Sequence, residues 1–360
     1  MHRTLGRRQF LGWGATGAAA LVAGPALLSA CGSDAGDAGA SSTGSAPLTG
    51  DGRFGTIGYQ LSWLKTAQFA STYVAIDKGY YAREGFKKVD LLAGGPNVTA
   101  EPALASGKAF AAMSSALGAT IFEMSGGMPL TLIGSQSQGS TLGIVSLADD
   151  PIATPADLAG KTIGAQPVYD MSWDLIMTTI GADPSEIKRV PVQNDPAPLI
   201  NGEVDGFVAL LTNEVVTLQQ KGMETVFLNW GDYGFDSIVD AYAVPTQVLE
   251  EERDKVKAFL TAEILGAQDN IADPELGARL TVQEHGANLG LDEATALAQN
   301  EAQIQASQSP VTAQKGLFQM TPERIQASID AGGAFGLTIS PDMFDNSLLD
   351  EIYAGGSTIG

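Results

Sequence analysis

The sequence predicts an α/β fold of two similar lobes facing a central cleft, and three observations carry that expectation. From Phe54 onward, apolar β-rich runs alternate with helical patterns, the signature of α/β units with largely parallel strands. A second stretch also echoes the first. Thr162-Ile163-Gly164-Ala165-Gln166 parallels Thr56-Ile57-Gly58-Tyr59-Gln60, and Asn201-Gly202-Glu203-Val204-Asp205-Gly206-Phe207 parallels Ser106-Gly107-Lys108-Ala109-Phe110-Ala111-Ala112 in the same order. Finally, the chain from about Glu250 to Tyr353 reads as mostly helical. Residues 53–140 with 241–360 are expected to form lobe one and residues 141–240 lobe two. The chain would cross between them near Ser140 and Val244, with the C-terminal helices bracing that hinge.

The elements follow in order. Thr56–Leu61 is the first expected strand. A helix from about Gln68 to Glu84 comes next, with Phe69, Tyr73, Ile76 and Tyr80 on one face and Gly85 as its stop. Then come strand Val89–Ala93, the turn Gly94-Gly95-Pro96-Asn97, and a helix capped by Thr99, because Pro102 fits only a first turn. Strand Ala109–Met113 ends at Ser114-Ser115, and a helix to about Met124 and strand Leu130–Ser135 complete the lobe. Ala241–Val244 with Pro245 is the return crossing, followed by helices Glu250–Asn270, Pro274–His285, Leu291–Ser307 and Pro322–Ala331.

Residues 1–30 belong to transport. Arg7-Arg8-Gln9-Phe10-Leu11 is a twin-arginine pattern, and the small apolar run from Trp13 to Ala30 is broken by Gly14, Gly17, Gly24 and Pro25. It reads as a cleavable export signal. Leu28-Ser29-Ala30-Cys31 resembles a lipoprotein cleavage box, with Cys31 the lipidated residue, and residues 31–52 form a Gly/Ser/Ala-rich flexible tether. The expected location is outside the cell membrane, anchored by that lipid.

Composition narrows the chemistry. The net charge is −21, and removing residues 1–30 takes three arginines and no acid, leaving −24. Such a surface disfavours nucleic acid and anionic lipid, and makes an anionic ligand less favourable unless a basic pocket is built for it. Cys31 is the only cysteine and His285 the only histidine after the signal, which argues against nucleophile–His catalysis, thiol chemistry and His-rich metal sites. GxSxG, GxxxxGK[ST], HExxH and a post-strand GxGxxG are all absent. No enzyme activity, cofactor or metal is expected, and the molecule is expected to be a monomer.

In open parallel sheets, ligands bind beyond the carboxyl ends of the strands. That rule selects Gln60–Gln68, Gly94–Asn97, Ser114-Ser115 and Ser135–Gly139 from lobe one. Lobe two offers Gln166–Trp173, Leu210–Glu214 and Asn229–Phe235. Aromatics concentrate in these loops although they make up only 7% of the chain, as stacking walls for a flat heterocycle would. Trp63 and Tyr169 stand at matching strand-to-helix connections. Phe69, Tyr73, Tyr80 and Trp173 lie at helical spacing and suit the core as well, and Trp230 suits the cover of a sheet end. The polar candidates are Gln60, Asn97, Ser114, Ser115, Gln136, Asn213, Glu214, Asp232 and Tyr233. Glu214 could accept hydrogen bonds from an amino-heterocycle or serve as a first-turn acid of its own helix. Lys65 suits a solvated rim.

Trp63, Tyr73-Val74-Ala75, Lys78-Gly79-Tyr80-Tyr81-Ala82-Arg83-Glu84-Gly85, Gly94-Gly95-Pro96-Asn97, Thr212-Asn213-Glu214 and Asp232-Tyr233-Gly234 carry a family resemblance over roughly residues 54 to 270. The chain resembles substrate-binding lipoproteins of ABC importers of the nitrate/sulfonate/taurine type. Within them it is similar to the branch of thiamine-pyrimidine-precursor binding proteins and fungal pyrimidine synthases. The resemblance implies a type II periplasmic-binding-protein clamp that closes on a small pyrimidine-like ligand and docks on permease subunits. Trp63 would stack on the ligand ring and Glu214 would pair with its nitrogens. Phe69 stands where the pyrimidine branch has a histidine, and the cysteine-rich motif of the fungal enzymes is missing. A flavin-like or aromatic-acid ligand fits Phe69 equally well, and an aliphatic sulfonate, taurine or nitrate receptor is the rival within the fold.

Overall fold

Strands β1 (Thr56–Gln60), β2 (Lys88–Leu92), β3 (Ala111–Ser114), β4 (Leu130–Ser135) and β10 (Ala241–Pro245) form one sheet. Strands β5 (Leu142–Leu147), β6 (Thr162–Ala165), β7 (Lys188–Pro191), β8 (Gly206–Leu210) and β9 (Thr225–Asn229) form the other. This computed structural model describes residues 50–334 and 336–360; the export signal, Cys31 and nearly all of the tether lie outside the described residues. The strand orders are β2-β1-β3-β10-β4 and β7-β6-β8-β5-β9, the same plan twice. The sequence echoes fall at equivalent places: β1 matches β6, and the segments leading into β3 and β8 match each other.

Each sheet contains one reversed strand. β10 runs antiparallel to β3 and β4, and β5 runs antiparallel to β8 and β9, while the other four strands of each sheet share a direction. The reversed strands are the ones that arrive from the other sheet, β5 after β4 and β10 after β9. Their amino ends therefore lie beside the carboxyl ends of their neighbours: Ala241 pairs with Ser114 and Ser135, and Leu142 with Leu210.

The helix expected from Gln68 to Glu84 is broken. A 3₁₀ turn over Ala67–Phe69 leads into α1 (Ala70–Asp77), and Gly79, at φ 74°, separates it from α2 (Tyr80–Arg83). Left-handed backbone of this kind suits glycine and interrupts a helix. The next helix, α3 (Glu101–Ala105), has Ala100 rather than Thr99 at its cap position, with Pro102 in the first turn. α4 (Ala116–Met124) follows β3, and α5 (Trp173–Thr179), α6 (Ala197–Ile200) and α7 (Val216–Gln220) serve the second sheet. The tail comprises α8 (Thr246–Glu251), α9 (Arg253–Ala272), α10 (Pro274–Leu280), α11 (Glu293–Ala306), α12 (Pro310–Lys315), α13 (Pro322–Ala334) and α14 (Ser347–Ile352). The expected helix ending at His285 stops at Leu280 and continues as a π-turn, Thr281–His285. No described helix is long and apolar enough to cross a membrane.

The first sheet packs on α1 and α9 through Tyr59, Phe69, Tyr73, Tyr242 and Phe259, all fully buried. Burying a side chain of this size stabilises by roughly 1.5–3 kcal/mol. Glu263 sits among them with no exposed surface, accepting from Thr72 Oγ1 (2.8 Å), Tyr242 OH (2.9 Å) and Tyr81 OH. Burial raises its pKa, against the pull of those hydroxyls. The second sheet packs on α5 through Trp173, Ile176 and Met177, facing Ile144, Ile163 and Val208.

Candidate ligand-binding site

The connection after β1 turns back on itself before α1, and the turn after β2 packs against it. Gly94 N donates to Trp63 O at 2.9 Å. A Cβ on Gly94 would lie 2.6 Å from the carbonyl oxygens of Leu61 and Ser62, so only glycine allows the two loops this close. Trp63 is thereby held at 9% exposure, with its indole Nε1 buried and without a protein partner.

Trp63 forms one wall of a cavity of about 390 Å³ that takes residues from both sheets. From the first come the start of α3, the end of β3 and the inner face of α4. The second contributes Leu142, Leu210, the start of α5, and the loop carrying Val168, Tyr169 and Met171. Val168 N donates to Pro96 O at 3.1 Å, tying the loops of the two sheets together along one side. Tyr169 is supported from behind by Trp230, whose ring meets it edge-on at 6.1 Å, and Trp230 rests in turn on Phe235. Met171 borders the cavity yet is 78% exposed, which marks the mouth.

The lining is mostly apolar, and its ionisable carboxylates are Glu101 and Asp240; no lysine, arginine or histidine borders it among the described residues. Glu101, buried, accepts from Ser114 Oγ, and Ser115 Oγ accepts from Gly118 N at 3.0 Å to cap α4. Asp240 is held on two sides: Gln68 Nε2 donates to Oδ1 at 2.9 Å and Ser137 Oγ to Oδ2 at 2.6 Å. Its backbone stands at φ 49°, a left-handed position that Asp tolerates better than most side chains. Burial raises its pKa, opposed by Ser137, Gln68 and the charge of Arg324, whose guanidinium donates to Ser137 O. Ser237 Oγ, also on the lining, is buried without a protein partner.

Of the residues expected at the site, Trp63, Ser114, Ser115 and Tyr169 come together on this cavity. The others lie elsewhere. Gln60 Nε2 donates to the carbonyls of Leu61 (2.9 Å) and Leu92 (3.2 Å), fastening β1 to β2. Phe69 is buried in the core beside Tyr73, and Asn97 is exposed on its turn. Gln136 is buried behind the cavity, donating to Tyr242 OH at 2.9 Å. Asn213 and Glu214 occupy a buried π-turn, Leu211–Val215. There Glu214 Oε2 accepts from Leu210 N (2.8 Å), Oε1 accepts from Asn213 Nδ2 (3.2 Å), and Asn213 Oδ1 accepts from Gln299 Nε2 (2.7 Å). Burial pushes Glu214 up to about 7. Asp232 and Tyr233 are exposed, with Tyr233 OH donating to Ala153 O at 3.4 Å. Trp173 and Trp230 are core, and Lys65 is away from the lining.

Glu101, Ser237 and Asp240 escaped sequence reasoning, and Gln68 closed an expected ligand loop without being singled out. For Asp240 the cause is topological. It precedes β10, whose reversal brings its amino end to the ligand side of the sheet, where a rule about carboxyl ends does not look.

Comparison with known proteins adds the following. A riboflavin-binding protein of Chloroflexus aurantiacus is 26% identical over 312 residues, covering 82% of this chain and 86% of that one. A formylaminopyrimidine-binding protein of Halalkalibacterium halodurans is 26% identical, covering 64% and 71%. A 4-amino-5-hydroxymethyl-2-methylpyrimidine phosphate synthase of Schizosaccharomyces pombe is also 26% identical, covering 61% and 66%. In structure, the alkanesulfonate-binding protein of Xanthomonas axonopodis bound to MOPS shares the fold, with a TM-score of 0.59 at 14% identity, covering 81% and 97%. Residues 66–276 match the family described as NMT1/THI5 like, and the chain belongs to that family.

Proposed function

We propose that this chain is the extracytoplasmic substrate-binding component of an ABC importer, and that it captures a flat, uncharged heteroaromatic ligand bearing N–H donors. The observation that carries this reading is the cavity between the sheets. Trp63 and Tyr169 wall it, and among the described residues its only acidic or basic side chains are the carboxylates Glu101 and Asp240. A sulfonate or nitrate would meet two acids there and no cation. A heterocycle with ring or amino N–H groups would meet aromatic faces and carboxylate acceptors.

Size favours a multi-ring ligand of the flavin type. At roughly 10–15 Å³ per water-sized position, a cavity of about 390 Å³ offers far more room than one substituted pyrimidine fills. The riboflavin-binding relative supports this, and the formylaminopyrimidine-binding relative keeps a pyrimidine as the second reading. A receptor role fits better than a synthase role. The described residues contain no cysteine, and His285 stacks on Tyr73 at 4.2 Å, away from the cavity, with its pKa lowered to about 4 mainly by burial.

In this reading residues 53–140 with 241–360 close on residues 141–240 about the two crossings, the closed form is what permease subunits engage, and Cys31 carries the lipid that holds the receptor at the membrane. Titration calorimetry with riboflavin, formylaminopyrimidine, taurine and MOPS tests it. Heat of binding is expected with riboflavin, or with the pyrimidine on the second reading. Binding of taurine or MOPS with none to either heterocycle would overturn both.

A further inference from the structure

Behind Gln68 lies a second, much smaller chamber of about 20 Å³, lined by residues of α1, α9, α11 and the segment after β4. Gln68 borders both chambers. The hydrogen bonds around the small chamber leave a definite remainder. Asn270 and Asn300 satisfy each other through two bonds of 2.8 Å, and Asn300 Nδ2 also reaches Pro274 O. Gln68 spends its Nε2 on Asp240, and Gln136 spends its Nε2 on Tyr242 OH and Ser71 Oγ. The Oε1 atoms of Gln68 and Gln136, and both ends of the Gln303 amide, are buried with no protein partner. These three glutamines are 5%, 3% and 7% exposed.

The remainder around this small space is three acceptors and one donor; a single water, which donates twice and accepts, matches the donor and two of the acceptors and leaves Gln303 Oε1 outside the set. One water needs roughly 10–15 Å³ of such space, so the chamber holds one and at most two. We propose that the chamber is a hydration site in which an ordered water donates to Gln68 Oε1 and Gln136 Oε1 and accepts from Gln303 Nε2. Its consequence reaches the ligand cavity. A planar amide whose oxygen is held by the water can present only its Nε2 to Asp240, so the Gln68–Asp240 pair is locked in one sense. Gln303 on α11 is then a positioning residue, acting through the water and Gln68 on Asp240. The same water joins Asp240 to the buried Glu263, because Gln136 donates to Tyr242 OH, which donates to Glu263.

The positioning role rests on Asp240 being a ligand contact; the hydration site does not. A high-resolution crystal structure of the ligand-free protein is expected to show a water within hydrogen-bonding distance of Gln68 Oε1 and Gln136 Oε1. A dry chamber with rearranged glutamines, or a cation revealed by anomalous scattering after a rubidium soak, would overturn the site. Gln303→Met keeps the side-chain length and removes the amide. It is expected to weaken riboflavin binding about three- to tenfold, and to do so only while Asp240 is present, leaving affinity unchanged in an Asp240→Asn background. Gln303→Asn, a shorter amide, provides a second variant should Gln303→Met fold poorly, and is expected to lose affinity by the same Asp240-dependent route. Equal losses with and without Asp240 would assign Gln303 a merely structural role and overturn the positioning role while leaving the hydration site standing.

Discussion

Trp63 and Glu214 show how differently two side chains at strand ends can be used. Trp63 borders the cavity, while its indole N–H is buried without a protein partner. Trp63→Ala is expected to weaken riboflavin binding roughly tenfold or more, from lost stacking and burial, as read by titration calorimetry. Glu214 instead spends both oxygens on its own turn. Burial raises its pKa from the ordinary 4.5 to about 7, so the folded state holds a proton that the unfolded chain releases. That contribution is full below about pH 4.5 and is lost as the pH rises through about 7. Denaturant melts from pH 4.5 to 7.5 should therefore show the wild type losing stability relative to Glu214→Gln. The loss is expected to reach at most roughly 3 kcal/mol, at about 1.4 kcal/mol per pKa unit. An unchanged difference across that range would show that Glu214 does not titrate there.

At the scale of elements, the reversed strands and the paired loops decide where chemistry collects. β10 delivers Asp240 and β5 delivers Leu142 to the edge that the carboxyl ends of their neighbours already occupy. The loop after β1 keeps its shape because Gly94 lets the neighbouring turn lie against Ser62. Gly94→Ala should force those loops apart. Thermal unfolding is expected to show a loss of about 1–3 kcal/mol, with riboflavin affinity falling as Trp63 shifts; wild-type melting and affinity together would contradict the close-packing account. The alternation of strands and helices was legible along the chain, because apolar runs and helical spacing are local properties. The single helix expected over Gln68–Glu84 was not correct, since an interior glycine within a helical pattern does not announce a left-handed backbone until its neighbours pack.

For the whole molecule, the site belongs to neither sheet alone, so a ligand bound there ties both to the folded state. Riboflavin at a hundred times its dissociation constant should add about 2.7 kcal/mol to unfolding, seen as an upward shift of several degrees in a single calorimetric transition. A shift confined to one of two resolved transitions would show that only one sheet holds the ligand. The sequence by itself determined the α/β class, the duplicated plan of β1–β3 and β6–β8, the acidity that disfavours anionic partners, and the placing of aromatics in the strand-to-helix loops. Those features are written in composition, periodicity and local turn chemistry. Only the tertiary structure decided that Trp63, Ser114, Ser115 and Tyr169 share a cavity while Phe69 and Glu214 do not, and that Gln68, Glu101 and Asp240 supply its polar floor. That choice depends on which strand crosses between sheets and in which direction it then runs, a long-range property that no window of the sequence contains.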